Sequence, residues 1–414
     1  MIWTASAGTL LNTQCSKSES FGGQVQGVNN NKPYTIASVS KVFTTHWATI
    51  RLGPKYRYPT VVHISDLGGG VFNVHLQGSL FPYFDKTMYQ FLVGQLNQLG
   101  IKRINYLTYD ENLIYATNIR TNATLAHGND TPNPDEIMKD LRADTANINV
   151  GIAALNAKAL TLENLVLPKQ LSISISDIHF LQQRDFRNTA QTASYYLYSS
   201  ELYRNLKEMN RNSNNFAADR IFQKLSANEE HHDFFMKRFN QIIMPDEVTL
   251  YNGSGYPVYV GLDKRYNESS CNAVVEMMDD LRKSLRLSGL DIKDVLPVAG
   301  KDSVADGDST VTQIYGSEQT AGALIGKTGS VLDTIAFAGL IVTEGENLFF
   351  QTSYSVDRTP EDRTQAYNSI RFWLAELLKD KKKTDLTSYQ PKTYMAFDSG
   401  SKLQRFDSLK RPMP

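Results

Sequence analysis

The sequence predicts a mixed α/β protein of the α+β kind with more than one domain. Three observations lead there. The chain has 414 residues, beyond the roughly 250–300 at which one hydrophobic core usually stops growing. A strand–helix–strand pattern runs from Val71 to Tyr109, the signature of a small α/β module. Two apolar strand patterns, Thr334 to Thr343 and Asn347 to Ser355, are separated only by Glu344-Gly345-Glu346 and precede an amphipathic helix pattern, which reads as a hairpin backed by a helix.

The elements follow in chain order. After Ser38, the residues Val42, Phe43, Trp47, Ala48 and Ile50 approximate a helical stripe. The texture changes near Val61. Gly68-Gly69-Gly70 reads as a turn and Val71 to Leu76 as a strand, while Met88 to Leu99 reads as a helix closed by Gly100. Ile101 to Tyr109 is the next strand. Ala116 to Asp135 is polar and turn-rich, a loop or module edge. Leu171 to Ser176 alternates apolar with Ser and is expected to be a half-buried strand. Helical patterns return from Ser199 through Leu202, Leu206 and Met209, and the last clear helix is Arg363 to Leu378. From Thr387 to Pro414 the periodicity is weak and no element is expected.

Composition narrows the function. Lys+Arg and Asp+Glu are 43 each, for zero formal charge, which argues against a broad basic surface for nucleic acid or anionic lipid. Hydrophobic residues at 41% and aromatics at 10% mark a folding chain. No apolar run of about 18 residues exists, so no transmembrane helix is expected. The first residues lack a basic start and an apolar signal core, which leaves a cytosolic protein or one whose targeting segment was removed before the numbering begins. Cys15 and Cys271 suit neither a disulfide framework nor a zinc ribbon, and one bridge between them stays open.

Three short motifs carry the chemistry. The first is Ser38-Val39-Ser40-Lys41. On a helix the Lys41 amine lies on the same face as Ser38, and a serine hydroxyl needs a neighbouring base to become a nucleophile. Lys serves as that base where burial and nearby positive charge lower its pKa. The second is Ser213-Asn214-Asn215, in which a hydroxyl and a carboxamide two residues apart can enter one cleft, Ser213 to relay a proton and Asn215 to hold a substrate amide. The third is Lys327-Thr328-Gly329-Ser330, ahead of an apolar strand. There Lys and Thr can hold a carboxylate, and Gly admits a substrate backbone. Taken singly, each reads as a solvated helix face, a capping loop or a turn. Their order and local context outweigh those readings.

The same trio, with Asp central in the second motif, marks class A β-lactamases and penicillin-binding proteins. The wider contexts are similar to those of the class C low-molecular-mass penicillin-binding proteins, the D-alanyl-D-alanine carboxypeptidase/endopeptidase family. Ile36 to Thr45, Leu206 to Ala218, Asn252-Gly253-Ser254-Gly255, and Gly326 to Ser330 followed by Ala336 to Ile341 carry the resemblance. It is good over about residues 30–110 and 195–380 and poor between about 112 and 190. Ser38 and Ser213 lie 175 residues apart, much farther than in β-lactamases, and the class C group inserts extra domains in that interval.

The resemblance implies a penicillin-binding, transpeptidase-like catalytic domain with an antiparallel sheet flanked by helices. It is expected over 1–60 and 191–414, interrupted at 61–190 by a smaller α/β insert, with the family's second insert reduced or absent. It implies hydrolysis of D-Ala-D-Ala or D-Ala–meso-diaminopimelate bonds in peptidoglycan stem peptides, through an acyl-serine. Ser38 is the expected nucleophile, Lys41 its base, Ser213 the proton relay and Asn215 the group that orients the peptide. Lys327 and Thr328 would bind the terminal carboxylate beside Gly329 and Ser330, and the Ser38 and Ser330 N–H groups would form the oxyanion hole. Lys41 and Lys327 are expected to depress each other's pKa. β-Lactams are expected covalent inhibitors, no metal or organic cofactor is needed, and the location is periplasmic or otherwise extracytoplasmic. Asn214 and Asn252 stand where the family commonly has Asp, and insert residues that bind the stem-peptide side chain do not carry over. Asp110 and Glu111 are only the nearest acids.

Rival readings are a β-lactamase or esterase on the same fold, disfavoured by the long insert, and a non-catalytic peptidoglycan-binding protein, disfavoured by the intact Ser38 and Lys41. Glu229-Glu230-His231-His232 reads as a solvated loop or helix start, since adjacent helical residues diverge by about 100°. The run Lys379 to Lys383 reads as a dipole-complementing helix end.

Overall fold

The computed structural model describes residues 10–20, 23–115, 133–226, 247–304, 307–317, 320–357, 359–379, 381–384, 386 and 389–406. The turn-rich stretch 116–132 and the Glu229 to His232 run lie outside them. In chain order the elements used below are β1 (Leu10–Ser18), β2 (Gln26–Val28), α1 (Ser40–Leu52), β3 (Pro59–Asp66), β4 (Val71–Gln77), α2 (Lys86–Gln98), β5 (Arg103–Tyr109), α3 (Pro134–Ala146), α4 (Ile152–Glu163), β6 (Ser174–Phe180), β7 (Thr192–Tyr198), α5 (Leu202–Arg211), α6 (Asn215–Ser226), α7 (Cys271–Arg286), α8 (Thr310–Tyr315), β8 (Leu324–Val331), β9 (Thr334–Ile341), β10 (Leu348–Ser355), α9 (Pro360–Leu378) and β11 (Gln404–Phe406). Among the described residues no helix is long and apolar enough to cross a membrane.

The described residues form two compact units. The first holds residues up to Lys55 and from Leu206 to Pro391. Its centre is a five-stranded antiparallel sheet in the order β8-β9-β10-β1-β2. The hairpin read from the sequence is present as β9 and β10, with Ile341 opposite Leu348. Every residue of β9 is buried, because alternate side chains meet different layers. Ile335, Phe337 and Ile341 pack with Phe350, Ile370 and Leu374, the last two from α9. The other face meets α7, which packs on α1. Each large apolar side chain so buried contributes roughly 1.5–3 kcal/mol. Helix α9 starts three residues before the expected Arg363, because the Thr359 side chain accepts from the Asp362 N–H and Pro360 fits the first turn. A disulfide joins Cys15 of β1 to Cys271 at the head of α7, which settles the pairing that the sequence left open.

The second unit spans Tyr56 to Asn205 and resumes at Lys392. Its six-stranded sheet has the order β11-β7-β3-β4-β5-β6. β3 and β4 are an antiparallel hairpin whose turn, Gly68-Gly69-Gly70, takes φ of 84°, 61° and 72°, a region costly for side chains. β4 and β5 are parallel and connected through α2, as the strand–helix–strand pattern predicts. β6 is also parallel to β5. It begins at Ser174, three residues later than the alternation suggests. The backbone of Leu171 exchanges two hydrogen bonds with the Asn149 carboxamide, and that of Ser172 exchanges two with Asn97. Side-chain amides therefore take the place of a neighbouring strand there.

The tail departs from expectation in two ways. It is not featureless, since Ser399–Ser401 forms a 3₁₀ turn and β11 pairs with β7. Residues from Lys392 on also belong with the second unit, although the sequence division placed all of 191–414 in the catalytic domain. The cause is local packing. Phe397 stacks on Phe91 at 4.2 Å, and Asp398 pairs with Arg57 at 2.6 Å.

Candidate active site

Ser38 sits in a 3₁₀ turn, Ala37–Val39, that leads directly into α1. The first N–H groups of a helical turn lack intrahelical acceptors, so the Ser38 N–H is available to a ligand. Ala37 has φ 46°, an uncommon value for a residue with a Cβ. The neighbouring Gly255 holds this turn: a Cβ there would stand 1.9 Å from the Ala37 carbonyl oxygen.

One turn further, Lys41 is buried and its Nζ reaches Ser38 Oγ at 2.9 Å, Asn215 Oδ1 at 2.7 Å and the Ser254 carbonyl at 2.9 Å. Burial brings its pKa from 10.5 down to about 7, against the opposing pull of the Asp219 carboxylate. Lys327 also lies well below the ordinary lysine range, through burial first and the Lys41 charge second, so the two lysines are coupled. A neutral amine 2.9 Å from a hydroxyl can take its proton.

The second motif joins α5 to α6. Ser213 is left-handed at φ 52°, and Asn214 Oδ1 accepts from the Ala217 N–H at 2.9 Å, capping α6. Asn and Asp cap about equally well, which accounts for the amide at a position commonly Asp. Buried Glu208 accepts from Arg211 Nη2 at 2.6 Å and Asn212 Nδ2 at 2.9 Å, pinning the chain ahead of the motif. Ser213 Oγ then accepts from Lys327 Nζ at 2.8 Å.

The third motif lies on β8, the edge strand of its sheet. Lys327 Nζ also donates to the Thr328 carbonyl at 2.7 Å, and the Thr328 and Thr310 hydroxyls are 2.9 Å apart. A Cβ on Gly329 would stand 2.6 Å from Ile36 O and 3.2 Å from Ser38 N, so only glycine lets β8 approach the nucleophile turn this closely. The Gly326 N–H donates to Pro297 O on the outer side of β8. Alternate N–H groups of a strand point the same way, which turns the Ser330 N–H to that open edge too. The Ser330 hydroxyl is exposed and bonded by Arg363 Nη2, so this residue offers the edge its backbone.

Ser38, Lys41 and Asn215 are thus one hydrogen-bonded cluster, and Ser213 with Lys327 another, with Thr328, Gly329 and Ser330 following on β8. Asp219 and Thr310 were not singled out from the sequence, and Ser254 and Asn252 were marked there only as part of the glycine turn that carries the resemblance. Asp219 on α6 accepts the Ser254 N–H at 2.7 Å, and the carbonyl of Ser254 faces Lys41. Thr310 at the head of α8 orients Thr328. Asn252 donates to Tyr256 O at 2.7 Å and accepts from the Gly255 N–H at 2.8 Å; it uses both halves of an amide, which suits Asn in place of the family's Asp. The acids of the second unit have other duties. Asp110 accepts from Gly78 N at 2.8 Å and Asn112 N at 3.0 Å, and Glu111 accepts from Gln183 N at 2.9 Å, so both shape local turns. Among the described residues, no three His, Cys, Asp or Glu side chains are gathered to hold a metal ion.

A predatory peptidoglycan endopeptidase from Bdellovibrio bacteriovorus, Bd3459, superposes with a TM-score of 0.84 at 28% identity over 96% of this chain and 99% of its own. The same enzyme has been captured acylated by penicillin G in complex with an immunity protein; that form matches with a TM-score of 0.80 at 28% identity, over 96% of this chain and all of its own. Penicillin-binding protein 4 from Haemophilus influenzae shares the fold at 18% identity and a TM-score of 0.60, over 90% of this chain and 97% of its own. No curated protein sequence matches the chain. The family model described as D-Ala-D-Ala carboxypeptidase 3 (S13) matches residues 140–377. That match takes in the second and third motifs and more than half of the chain, and the fold agrees along its length, so this protein belongs to the D-Ala-D-Ala carboxypeptidase 3 (S13) family and is a serine-type DD-peptidase.

Proposed function

We propose that the chain hydrolyses the D-Ala-D-Ala and D-Ala–meso-diaminopimelate bonds of peptidoglycan stem peptides through an acyl-Ser38 intermediate. The carrying observation is the fully buried Lys41, brought to about 7, with its Nζ 2.9 Å from Ser38 Oγ. Lys41 takes the Ser38 proton as Oγ attacks the D-Ala carbonyl. The N–H groups of Ser38 and Ser330 receive the oxyanion, stabilising charge that develops only in the transition state. The proton taken up by Lys41 passes through the Ser213 hydroxyl, which accepts from Lys327 Nζ, to the departing amine, and Asn215 orients the peptide. Lys327 and Thr328 bind the terminal carboxylate. Lys327 is depressed by burial, so it regains a full charge when an anion arrives. Water then releases the acyl group.

A β-lactam presents a reactive amide and a carboxylate at similar spacing and should acylate the same serine. The 28% identical Bdellovibrio enzyme, named for peptidoglycan endopeptidase activity and acylated by penicillin G, supports this reading. The Cys15–Cys271 disulfide supports an oxidising, extracytoplasmic location. Intact-mass measurement after penicillin G treatment tests the nucleophile. One adduct is expected on the wild type and none on Ser38→Ala; an unmodified wild type, or a labelled variant, rejects the assignment. Monomeric pentapeptide and cross-linked dimer muropeptides, run in parallel, divide carboxypeptidase from endopeptidase action.

A further inference from the structure

The second unit holds a groove of about 450 Å³ that the chemistry above does not use. Its floor is the polar face of the β3-β4-β5-β6 sheet. The opposite face is apolar and buried, through Val62, Val74, Leu76, Leu107 and Ile178. On the groove side His63 lies opposite His75, His75 beside Thr108, and Thr108 beside His179. A one-residue change of register would bury this row, so the alternation commits a line of polar and aromatic side chains to the open face.

Three features describe the occupant. The first is aromatic surface. Tyr106 is 44% exposed with its ring 5.2 Å from His179, and Phe186 stacks on His75 at 4.1 Å and 10°. The second is an unmet polar group. His75 is 3% exposed, bonds Thr108 Oγ1 through Nδ1 at 2.9 Å, and has no partner at Nε2 among the described residues. A buried nitrogen without a partner carries a free-energy cost that a ligand hydroxyl would relieve. The third is balanced charge. Burial lowers His63 and brings His75 down to about 4, so both imidazoles are neutral at physiological pH. Asp66 and Arg187, both exposed in the lining, carry opposite charges that offset each other. Flat aromatic faces flanked by hydroxyl, amide and imidazole groups, with an acid and a base of opposite sign, match an uncharged sugar ring, whose C–H face stacks while its hydroxyls hydrogen-bond.

We propose that this groove is a saccharide subsite that takes an uncharged N-acetylhexosamine unit of a glycan strand, its ring against Tyr106 and its polar edge toward Ser65, Thr108 and His75. The choice of an N-acetylated sugar rests on the peptidoglycan reading above; the saccharide class rests on the groove.

Calorimetric titration of the full chain with tetra-N-acetylchitotetraose, which carries no peptide, tests it. The wild type should bind saturably, Tyr106→Ala at least tenfold more weakly, and Tyr106→Phe, which keeps the ring, within about twofold of wild type. Maltotetraose, neutral but without acetamido groups, should bind at least tenfold more weakly. A wild type that does not bind, a Tyr106→Ala that binds as wild type, or maltotetraose binding equally well overturns the proposal. Turnover of a soluble D-Ala-D-Ala peptide by Tyr106→Ala should be unchanged, which also reports correct folding. If the wild type binds the sugar and cleaves no D-Ala-D-Ala peptide, the peptidoglycan reading fails while the saccharide site stands.

Discussion

Asp219 permits a sharp test of how Lys41 is tuned. Burial lowers the amine to about 7 and the Asp219 carboxylate pulls the other way. The two groups flank one residue: Asp219 Oδ1 accepts the Ser254 N–H at 2.7 Å, and the Ser254 carbonyl accepts from Lys41 Nζ at 2.9 Å. Asp219→Asn keeps an acceptor oxygen for Ser254 and removes only the charge. Opposite charges about 7 Å apart at an effective dielectric of about 20 interact by roughly 2 kcal/mol, worth about 1–2 pH units. The reacting form is the neutral amine, so wild-type acylation should rise with pH through a limb near 7. Removing the anion that favours the ammonium must move that limb down.

The assay is the second-order rate of acylation by a fluorescent penicillin between pH 5 and 9, each protein scaled to its own plateau. The wild type should stand near a tenth of its plateau one unit below its limb. Asp219→Asn should keep well over a third there, with its limb at about 5–6. A limb that stays in place would mean that Asp219, itself raised by burial, is protonated throughout and exerts no field. A limb that moves up would refute the assignment of Lys41 as the base.

Other expectations follow from the same geometry. Lys327→Met should leave the acid limb near 7, since burial is the largest cause of the Lys41 shift, while KM for a peptide with a free terminal carboxylate rises at least tenfold; a limb displaced by a full unit would show that the Lys327 charge, and not burial, sets the Lys41 amine. Gly255→Ala, whose methyl would meet Ala37 O at 1.9 Å at a backbone φ of 76°, should slow acylation at least tenfold with the far-ultraviolet dichroism retained, and wild-type rates would show that the nucleophile turn tolerates displacement. Replacing Cys15 and Cys271 by Ser opens a link across 256 residues and should cost about 2–4 kcal/mol, measured as a lower guanidinium midpoint in the fluorescence of Trp47 and Trp373, both in the first unit. An unchanged midpoint would mean that the bridge leaves the unfolded state unconstrained.

What could be read from the chain divides along a physical line. Ser38 and Lys41 are legible because the helix period alone brings residues three apart together, and the β9–β10 hairpin because it needs only a turn between two apolar runs. Long-range pairing is harder. Leu171 to Ser176 has the alternation of a strand, yet two carboxamides from elsewhere, Asn97 and Asn149, take the backbone groups of Leu171 and Ser172 and delay the ladder to Ser174. A pattern reports which face a side chain prefers; it does not report which group reaches the backbone first.

The same division runs through the active site, where the missed parts are those whose function does not reside in a side-chain type. Ser254 meets Lys41 through its carbonyl, a group that every residue has, and Gly255 acts by what it lacks. Asp219 is an ordinary helix carboxylate until folding buries it beside a lysine 178 positions earlier. A motif therefore names the groups that react, and the groups that set their reactivity are recognised only from the fold. The consequence is specific to Lys41: its identity as a base can be proposed from Ser-x-x-Lys, but the pH at which it becomes one is decided by burial and by Asp219, neither of which the motif contains.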